Sequence, residues 1–103
     1  EKACKKVQDG NAEIAILVCG TGLGMSIAAN KMKNIRAVVC GEEFSAYHAK
    51  SHNNANVLCL GARVVGIGLA TLIVDTFLNA SFEGGRHERR VNKIAQLESS
   101  LFE

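Results

Sequence analysis

The sequence contains no proline, and none of its apolar runs is long enough to cross a membrane. A transmembrane helix needs roughly 18 consecutive apolar residues, so no membrane span is predicted. The absence of proline indicates no function by itself. The net charge of +2 is too small to indicate binding to nucleic acid. Of the 103 residues, 48% are hydrophobic and 21% are charged, which is typical of a globular protein. We therefore expect a single domain over residues 1–103.

The four cysteines show neither a CxxC pair nor a Cys-His spacing that matches a zinc site. Three of them, Cys19, Cys40 and Cys59, lie at or near the end of an apolar run. That placement favours buried free thiols over a disulfide framework. We therefore expect a protein of the reducing cytoplasm that holds no metal.

Short apolar runs alternate with helical patterns along the whole chain. Strands are predicted at residues 14–19, 35–40 and 56–60, and helices at residues 1–9, 26–33, 42–51, 65–79 and 87–101. Such an alternation with short turns predicts an α/β fold with a parallel sheet covered by helices on both faces. In these sheets ligands bind at the carboxyl ends of the strands. By this rule, the segments that follow Cys19, Cys40 and Leu60 are the candidate ligand-binding segments.

The most informative of these segments is the glycine-rich loop at residues 20–26. Glycines between a strand and a helix allow a ligand to approach the backbone, and the N–H groups that begin the helix attract an anion. Met25 occupies the position of the last glycine in a dinucleotide-binding motif, and the Gly-Lys-Ser/Thr ending of a nucleotide-binding loop is absent. NAD and ATP are therefore disfavoured. A tight turn that only needs small residues explains the same loop.

Cys19 is the last residue of its predicted strand and immediately precedes this loop. Nearby backbone donors would favour a thiolate, which can act as a general base or as a nucleophile. A second feature is the basic cluster of Arg86, His87, Arg89 and Arg90, which suits either a phosphate or a solvated helix face. The residue types alone leave both interpretations open for each feature.

Three segments together resemble one family. They are ILVCGTGLGMSIAANK at residues 16–31, SHNNANVLCLGARVVG at residues 51–66 and EGGRHERRV at residues 83–91. They are similar, in this order, to ribose-5-phosphate isomerase B. The resemblance implies an aldose–ketose isomerase that interconverts ribose 5-phosphate and ribulose 5-phosphate without a metal or organic cofactor. It also implies a Rossmann-like three-layer αβα sandwich that forms a homodimer or a tetramer of dimers, with active sites at the dimer interface.

The same resemblance assigns roles to individual residues. Cys19 matches the base that moves a proton between the first two sugar carbons, Thr21 lies beside it, and His52 matches the residue that helps to open the furanose ring. The backbone at residues 20–24 matches the loop that stabilises the enediolate, and Ser26 is expected at the start of the helix. The implied substrate-binding set is Gly20, Thr21, Gly22, Leu23, Gly24, Ser26, Asn53, Arg63, Arg86 and Arg90.

The remaining polar residues are expected to have structural roles. His48 and His87 are interpreted as surface or interface residues, and Arg36 and Arg89 as solvated or ion-paired. Glu42 and Glu43 are expected in the first turn of a helix, and Cys40 and Cys59 in the core.

The sequence departs from the family at its start, because no segment corresponds to the family's first strand with its Asp-His pair. We therefore expect the chain to be part of a longer polypeptide, with an exposed sheet edge and weak or absent activity by itself. Three alternatives remain: an isomerase of allose 6-phosphate or galactose 6-phosphate, a non-catalytic phosphosugar-binding fragment, or a redox-responsive thiol protein that uses Cys19.

Overall fold

The computed structural model describes residues 1–102 and alternates helices and strands in the predicted order. The elements are α1 (Lys2–Gln8), β1 (Ala15–Cys19), α2 (Leu23–Ala29), β2 (Ala37–Val39), α3 (Glu43–Ser51), β3 (Val57–Gly61), α4 (Ile67–Asn79) and α5 (Arg86–Phe102).

The three strands form one parallel sheet in the order β1-β3-β2. Every residue of the central strand β3 is buried, as expected for a strand with neighbours on both sides and helices on both faces. Ala15 is in register with Val57 on one side, and Ala37 is in register with the same residue on the other. The carboxyl ends of all three strands therefore meet at one edge of the sheet, as predicted.

Helices cover both faces of this sheet, which confirms the predicted three layers. On one face, α1 and α2 enclose a core that contains Cys4, Ala29 and Cys59. On the other face, α3 and α4 pack together over Leu58, with Ile73 and Phe77 completely buried. Alternate residues of β3 thus supply the two cores, because successive side chains of a strand point to opposite faces.

The helix after the glycine loop differs from its predicted bounds of 26–33. It begins at Leu23, because Gly22 takes a left-handed φ of 83° that turns the chain directly into the helix. It ends at Ala29, where the Asn30 side chain donates to the carbonyl of Ala37 and accepts from its N–H group. These two hydrogen bonds fix the start of β2 and stop the helix early.

Several apolar side chains remain exposed, among them residues on β1 and α5. On the outer strand β1, Ile16 and Val18 are 37% and 54% exposed, so the expected exposed edge with apolar surface is present. On α5, Ile94 and Leu97 are 53% and 67% exposed, and their three-residue spacing places them on one face of the helix. Within residues 1–102, no helix is both long and apolar enough to span a membrane.

Candidate active site

The Cys19 thiol lies at the carboxyl end of β1 and is half-buried. Its Sγ accepts a hydrogen bond from the Gly22 N–H group at 3.1 Å. The next side chain, Thr21, is exposed, and its Oγ1 accepts from the Leu23 N–H group at 3.3 Å. The loop thus directs a backbone donor at the sulfur of Cys19.

Glycine at the end of β3 allows this loop to pack tightly. A Cβ at Gly61 would lie 2.7 Å from the carbonyl carbon and oxygen of Thr21, closer than real atoms approach. The Ala62 N–H group also donates to the Cys19 carbonyl at 2.7 Å. The backbone of residues 19–22 is therefore held against the end of the central strand, and the thiol is held with it.

Arg63 is the cation that the structure brings to this loop. Its N–H group donates to the Gly20 carbonyl at 3.0 Å, and its side chain passes over Gly20, where a Cβ would lie 3.7 Å from Arg63 Cδ. The Arg63 side chain remains exposed. The carboxyl end of the sheet thus combines a thiol, several backbone donors and one guanidinium.

The structure corrects the prediction for Ser26, which does not begin the helix. Ser26 lies inside α2, and its N–H group donates to the Gly22 carbonyl at 3.2 Å in the first turn. Leu23 and Gly24 are consequently in the first helical turn and not in a free loop. The N–H groups of a first turn have no partner within the helix, so this turn still presents donors beside Cys19.

His52 and Asn53 lie at the opposite end of the sheet from Cys19. Helix α3 starts after the carboxyl end of β2 and returns to the amino end of β3, and His52 is its C-terminal cap. A helix of nine residues is about 13 Å long. The structure therefore does not bring His52 to the Cys19 of its own chain.

The two histidines near this end stack on each other. The rings of His52 and His87 are 3.9 Å apart and nearly parallel, with 10° between their planes. His87 is only 8% exposed, so it is not a surface residue of this chain, and its place at an interface stays a prediction. Burial is the main cause that lowers the pKa of His87, and the nearby His52 and Arg86 lower it further. Glu83 opposes this shift.

Glu83 is a member of this group that the sequence analysis missed. Its Oε1 lies 3.6 Å from His52 Nε2 and 3.5 Å from His87 Nε2. Its N–H group donates to the Ser51 carbonyl at 2.9 Å, which ties the segment before α5 to the end of α3. Glu83 and His87 are four residues apart in the sequence. The Gly84-Gly85 break between them, however, indicated the end of an element and not a shared site.

Arg86 is the first residue of α5, and Arg90 follows one turn later. Residues four apart share a helical face, so these two exposed side chains lie on the same side of α5. Two guanidiniums on one face suit a phosphate dianion. They lie near the two histidines, so the amino end of the sheet carries a second group of polar side chains.

The residues expected to be structural largely behave as predicted. Glu42 caps α3 by accepting from the Ser45 N–H group, and Glu43 is in its first turn. Burial raises the pKa of Cys40 and of Cys59 to about 11, with a further contribution from Glu42 for Cys40 and from the neighbouring cysteines for Cys59. Arg36 is an exception, because it is partly buried and its Nε donates to the Asn54 carbonyl at 2.6 Å.

The sequence of this chain is similar to those of known sugar-phosphate isomerases. The family described as Ribose/Galactose Isomerase matches residues 1–94. Ribose-5-phosphate isomerase B of Escherichia coli is 54% identical over 92 residues, which cover 89% of this chain and 62% of that protein. D-erythrulose-4-phosphate isomerase of Pectobacterium atrosepticum is 48% identical over 92 residues, which cover 89% of this chain and 60% of that protein. The chain thus spans less than two thirds of the length of these relatives.

Solved structures give the same result for the fold. Ribose-5-phosphate isomerase B of Clostridium thermocellum has a TM-score of 0.95 and 51% identity, covering 97% of this chain and 68% of that one. The Mycoplasma genitalium enzyme, solved with bound ribulose-5-phosphate, has a TM-score of 0.87 and 46% identity, covering 94% of this chain and 64% of that one. By its sequence and its three-layer fold alike, this chain belongs to the ribose/galactose isomerase family.

Proposed function

We propose that this chain supplies the catalytic machinery of an aldose–ketose isomerase that interconverts ribose 5-phosphate and ribulose 5-phosphate. The observation that carries the proposal is the Cys19 thiol with the Gly22 N–H group at 3.1 Å, next to a first helical turn that presents further donors. Isomerisation through an enediolate requires a base at a C–H bond and donors at the oxygen that becomes negative.

In the proposed reaction the Cys19 thiolate removes the proton from C2 of the open-chain aldose. The electron pair moves into the C1–C2 bond, and the carbonyl oxygen on C1 becomes negative and is stabilised by backbone N–H groups. The resulting thiol returns its proton to C1, while a proton moves from the C2 hydroxyl to the oxygen on C1. The product is the ketose, and the reaction needs no external oxidant or reductant.

His52 is proposed to assist ring opening, since imidazole gives and takes protons near neutral pH. Arg63, Arg86 and Arg90 are proposed to bind the phosphate, whose binding energy positions the reacting carbons. Asn53, which is exposed beside His52, is proposed as a sugar contact.

Because Cys19 and His52 lie at opposite ends of the sheet in one chain, we propose that two chains build each site. In a homodimer with two-fold symmetry, the carboxyl end of one sheet would face the His52 end of its partner. The exposed apolar residues Ile94 and Leu97 of α5 would supply buried area for such an interface. The tetramer of dimers and the cytoplasmic location stay predictions.

The first test is a ribulose 5-phosphate formation assay on the protein that contains this chain, with the variant Cys19→Ala. We expect kcat to fall by about 10²–10⁴-fold, with substrate binding and the melting temperature retained. Cys40→Ala is the matched control, because it removes a buried thiol at the same edge of the sheet. It should lower the melting temperature and leave kcat nearly unchanged. Full activity of Cys19→Ala would contradict the proposed role of Cys19, whereas the absence of activity in the parent protein would favour a non-catalytic phosphosugar-binding module.

The second test addresses the shared site. Cys19→Ala and His52→Ala proteins are unfolded together, refolded and assayed as a mixture. If each site takes Cys19 from one chain and His52 from the other, a mixed dimer has one intact site of its two. Random pairing should then restore about a quarter of the wild-type activity. No recovery, despite confirmed mixed dimers, would show that the two residues do not act across the interface.

The substrate is tested separately with a panel of sugar phosphates. We expect ribose 5-phosphate to give the highest kcat/KM. D-erythrulose 4-phosphate belongs in the panel because one relative at 48% identity carries the name of that activity. Allose 6-phosphate and galactose 6-phosphate complete it, and preference for either would replace the proposed substrate while leaving the role of Cys19 intact.

A further inference from the structure

The group formed by His52, Glu83 and His87 has a geometry that isomerisation alone does not require. Each side chain offers one donor atom, and the three atoms lie within 4.8 Å of one another. Two imidazole nitrogens and one carboxylate oxygen are the ligand types that Zn²⁺ prefers. We propose that these three residues form a reversible binding site for Zn²⁺.

The distances agree with tetrahedral coordination. Zinc binds nitrogen and carboxylate oxygen at about 2.0–2.2 Å, so two ligands of a tetrahedral site lie roughly 3.3–3.6 Å apart. The distances from Glu83 Oε1 to the two Nε2 atoms are 3.6 Å and 3.5 Å. The two rings are stacked, so they must tilt apart for their in-plane lone pairs to meet at one ion. Three protein ligands leave a fourth position for water.

The surroundings also suit a metal site. His87 is buried, so its imidazole is enclosed by neighbouring groups beside His52 and Glu83. Glu83 is held in place by the hydrogen bond from its N–H group to the Ser51 carbonyl. The nearby Arg86 and Arg90 weaken the attraction for a cation, so we expect moderate affinity that a chelator readily reverses.

Zn²⁺ bound at this site would lower the isomerase activity. This consequence rests on the proposed function. Coordination would occupy the Nε2 lone pair of His52, the group proposed to move protons in ring opening. Zn²⁺ would therefore act as a reversible inhibitor, and it would not be a cofactor.

Binding is measured by titration calorimetry with Zn²⁺ in a Cys19→Ala background, which removes the accessible thiol as a competing ligand. We expect one ion per chain. Glu83→Gln and His87→Gln should each weaken binding at least about tenfold, because loss even of an outer partner of a ligand costs about 10–100-fold. Circular dichroism and the melting temperature confirm that each variant is folded.

Two matched controls identify the site. Glu88→Gln removes an exposed carboxylate in the first turn of α5, and His48→Gln removes the other imidazole that contacts His52, at 4.6 Å between ring centroids. Neither residue belongs to the group, so both controls should bind Zn²⁺ like the parent. The absence of saturable binding, or equal binding in parent, Glu83→Gln and His87→Gln, would overturn the proposal.

Inhibition is measured separately in the protein with Cys19 intact. Zn²⁺ should lower the isomerase rate, EDTA should restore it, and Glu83→Gln should need at least about tenfold more Zn²⁺ for the same effect. Binding without inhibition would support the metal site and contradict the role of His52 in ring opening. Loss of calorimetric binding with retained isomerase activity would remove the metal site and leave the proposed function standing.

Discussion

The two ends of the sheet are built in different ways. At the carboxyl end, Cys19, Gly20 and Gly22 follow one another in a single loop, and Arg63 reaches this loop from the end of the neighbouring strand. At the amino end, His52 caps α3, whereas Glu83 and His87 come from a segment about 30 residues later. The first group is encoded in continuous sequence, and the second is assembled by tertiary packing.

Because of this difference, we expect the two groups to respond differently to amino-acid substitutions. A continuous loop held against a central strand depends on very close backbone contacts, so single added atoms are costly. The histidine group depends on where α5 begins relative to α3, which the Glu83 N–H bond and two glycines set.

The largest effect is expected for Gly61→Val at the carboxyl end. Its Cβ would overlap the Thr21 backbone at 2.7 Å, and backbone at the end of the central strand cannot move aside cheaply. Overpacking costs typically 1–3 kcal/mol and occasionally more, so we expect a loss of about 3 kcal/mol or more in the free energy of unfolding. Urea denaturation measures this value.

Gly24→Ala is the matched control in the same region. It has a helical backbone conformation and no atom within 4 Å of the added Cβ, so we expect a gain of about 0.5–1 kcal/mol. A similar loss in both variants would mean that the loop resists any added side chain, and the close contact with Thr21 would not be the cause.

The second effect concerns the core thiols beneath this end. Burial raises the pKa of Cys40 and Cys59 to about 11, from an ordinary value of 9.0. The unfolded chain therefore loses these protons at lower pH than the folded one, and stability should fall as pH rises from about 9 towards 11. Each pH unit in this window removes up to about 1.4 kcal/mol per thiol. Denaturation at several pH values should show a smaller slope in Cys40→Ala than in Cys19→Ala, and equal slopes would contradict the assignment.

The third effect tests the amino end through Gly85→Ala. Gly85 has a φ of 57°, and nothing lies within 4 Å of its missing Cβ, so the cost is conformational alone. We expect a loss of about 1 kcal/mol, together with weaker substrate binding because Arg86 and His87 follow directly. Gly68→Ala, inside α4 and equally uncrowded, should instead be stabilising. An unchanged KM in a destabilised Gly85→Ala would show that the start of α5 does not position the substrate groups.

The same difference between the two ends explains how much could be predicted from the sequence. The strands before Cys19 and Cys40, and the parallel sheet they form, follow from short apolar runs that alternate with helical patterns. The glycine loop and its cysteine could be located because they are contiguous. The basic cluster that contains Arg86 and Arg90 was likewise visible as a continuous stretch of sequence.

The histidine stack could not be predicted in this way. His52 and His87 are 35 positions apart, and no periodic pattern links the end of α3 to the start of α5. The burial of His87 depends on that contact, so a basic stretch of sequence suggested an exposed residue instead. Glu83 was missed for the same reason, since its role depends on two partners and only one of them is near it in sequence.

The smallest effect is expected for Ser26→Ala. Ser26 was predicted to start the helix, and this prediction was wrong although the loop is continuous in sequence. Serine before an alanine-rich stretch is typical of a helix cap, and replacing a cap costs about 0.5–2 kcal/mol. In the structure Gly22 precedes the helix with a left-handed backbone, and Ser26 lies within α2. We therefore expect a change below about 0.5 kcal/mol in urea denaturation, since a serine within a helix is replaced by the best helix former. A loss above about 1 kcal/mol would mean that the Ser26 hydroxyl supports the Cys19 loop through a contact that local helix geometry does not provide.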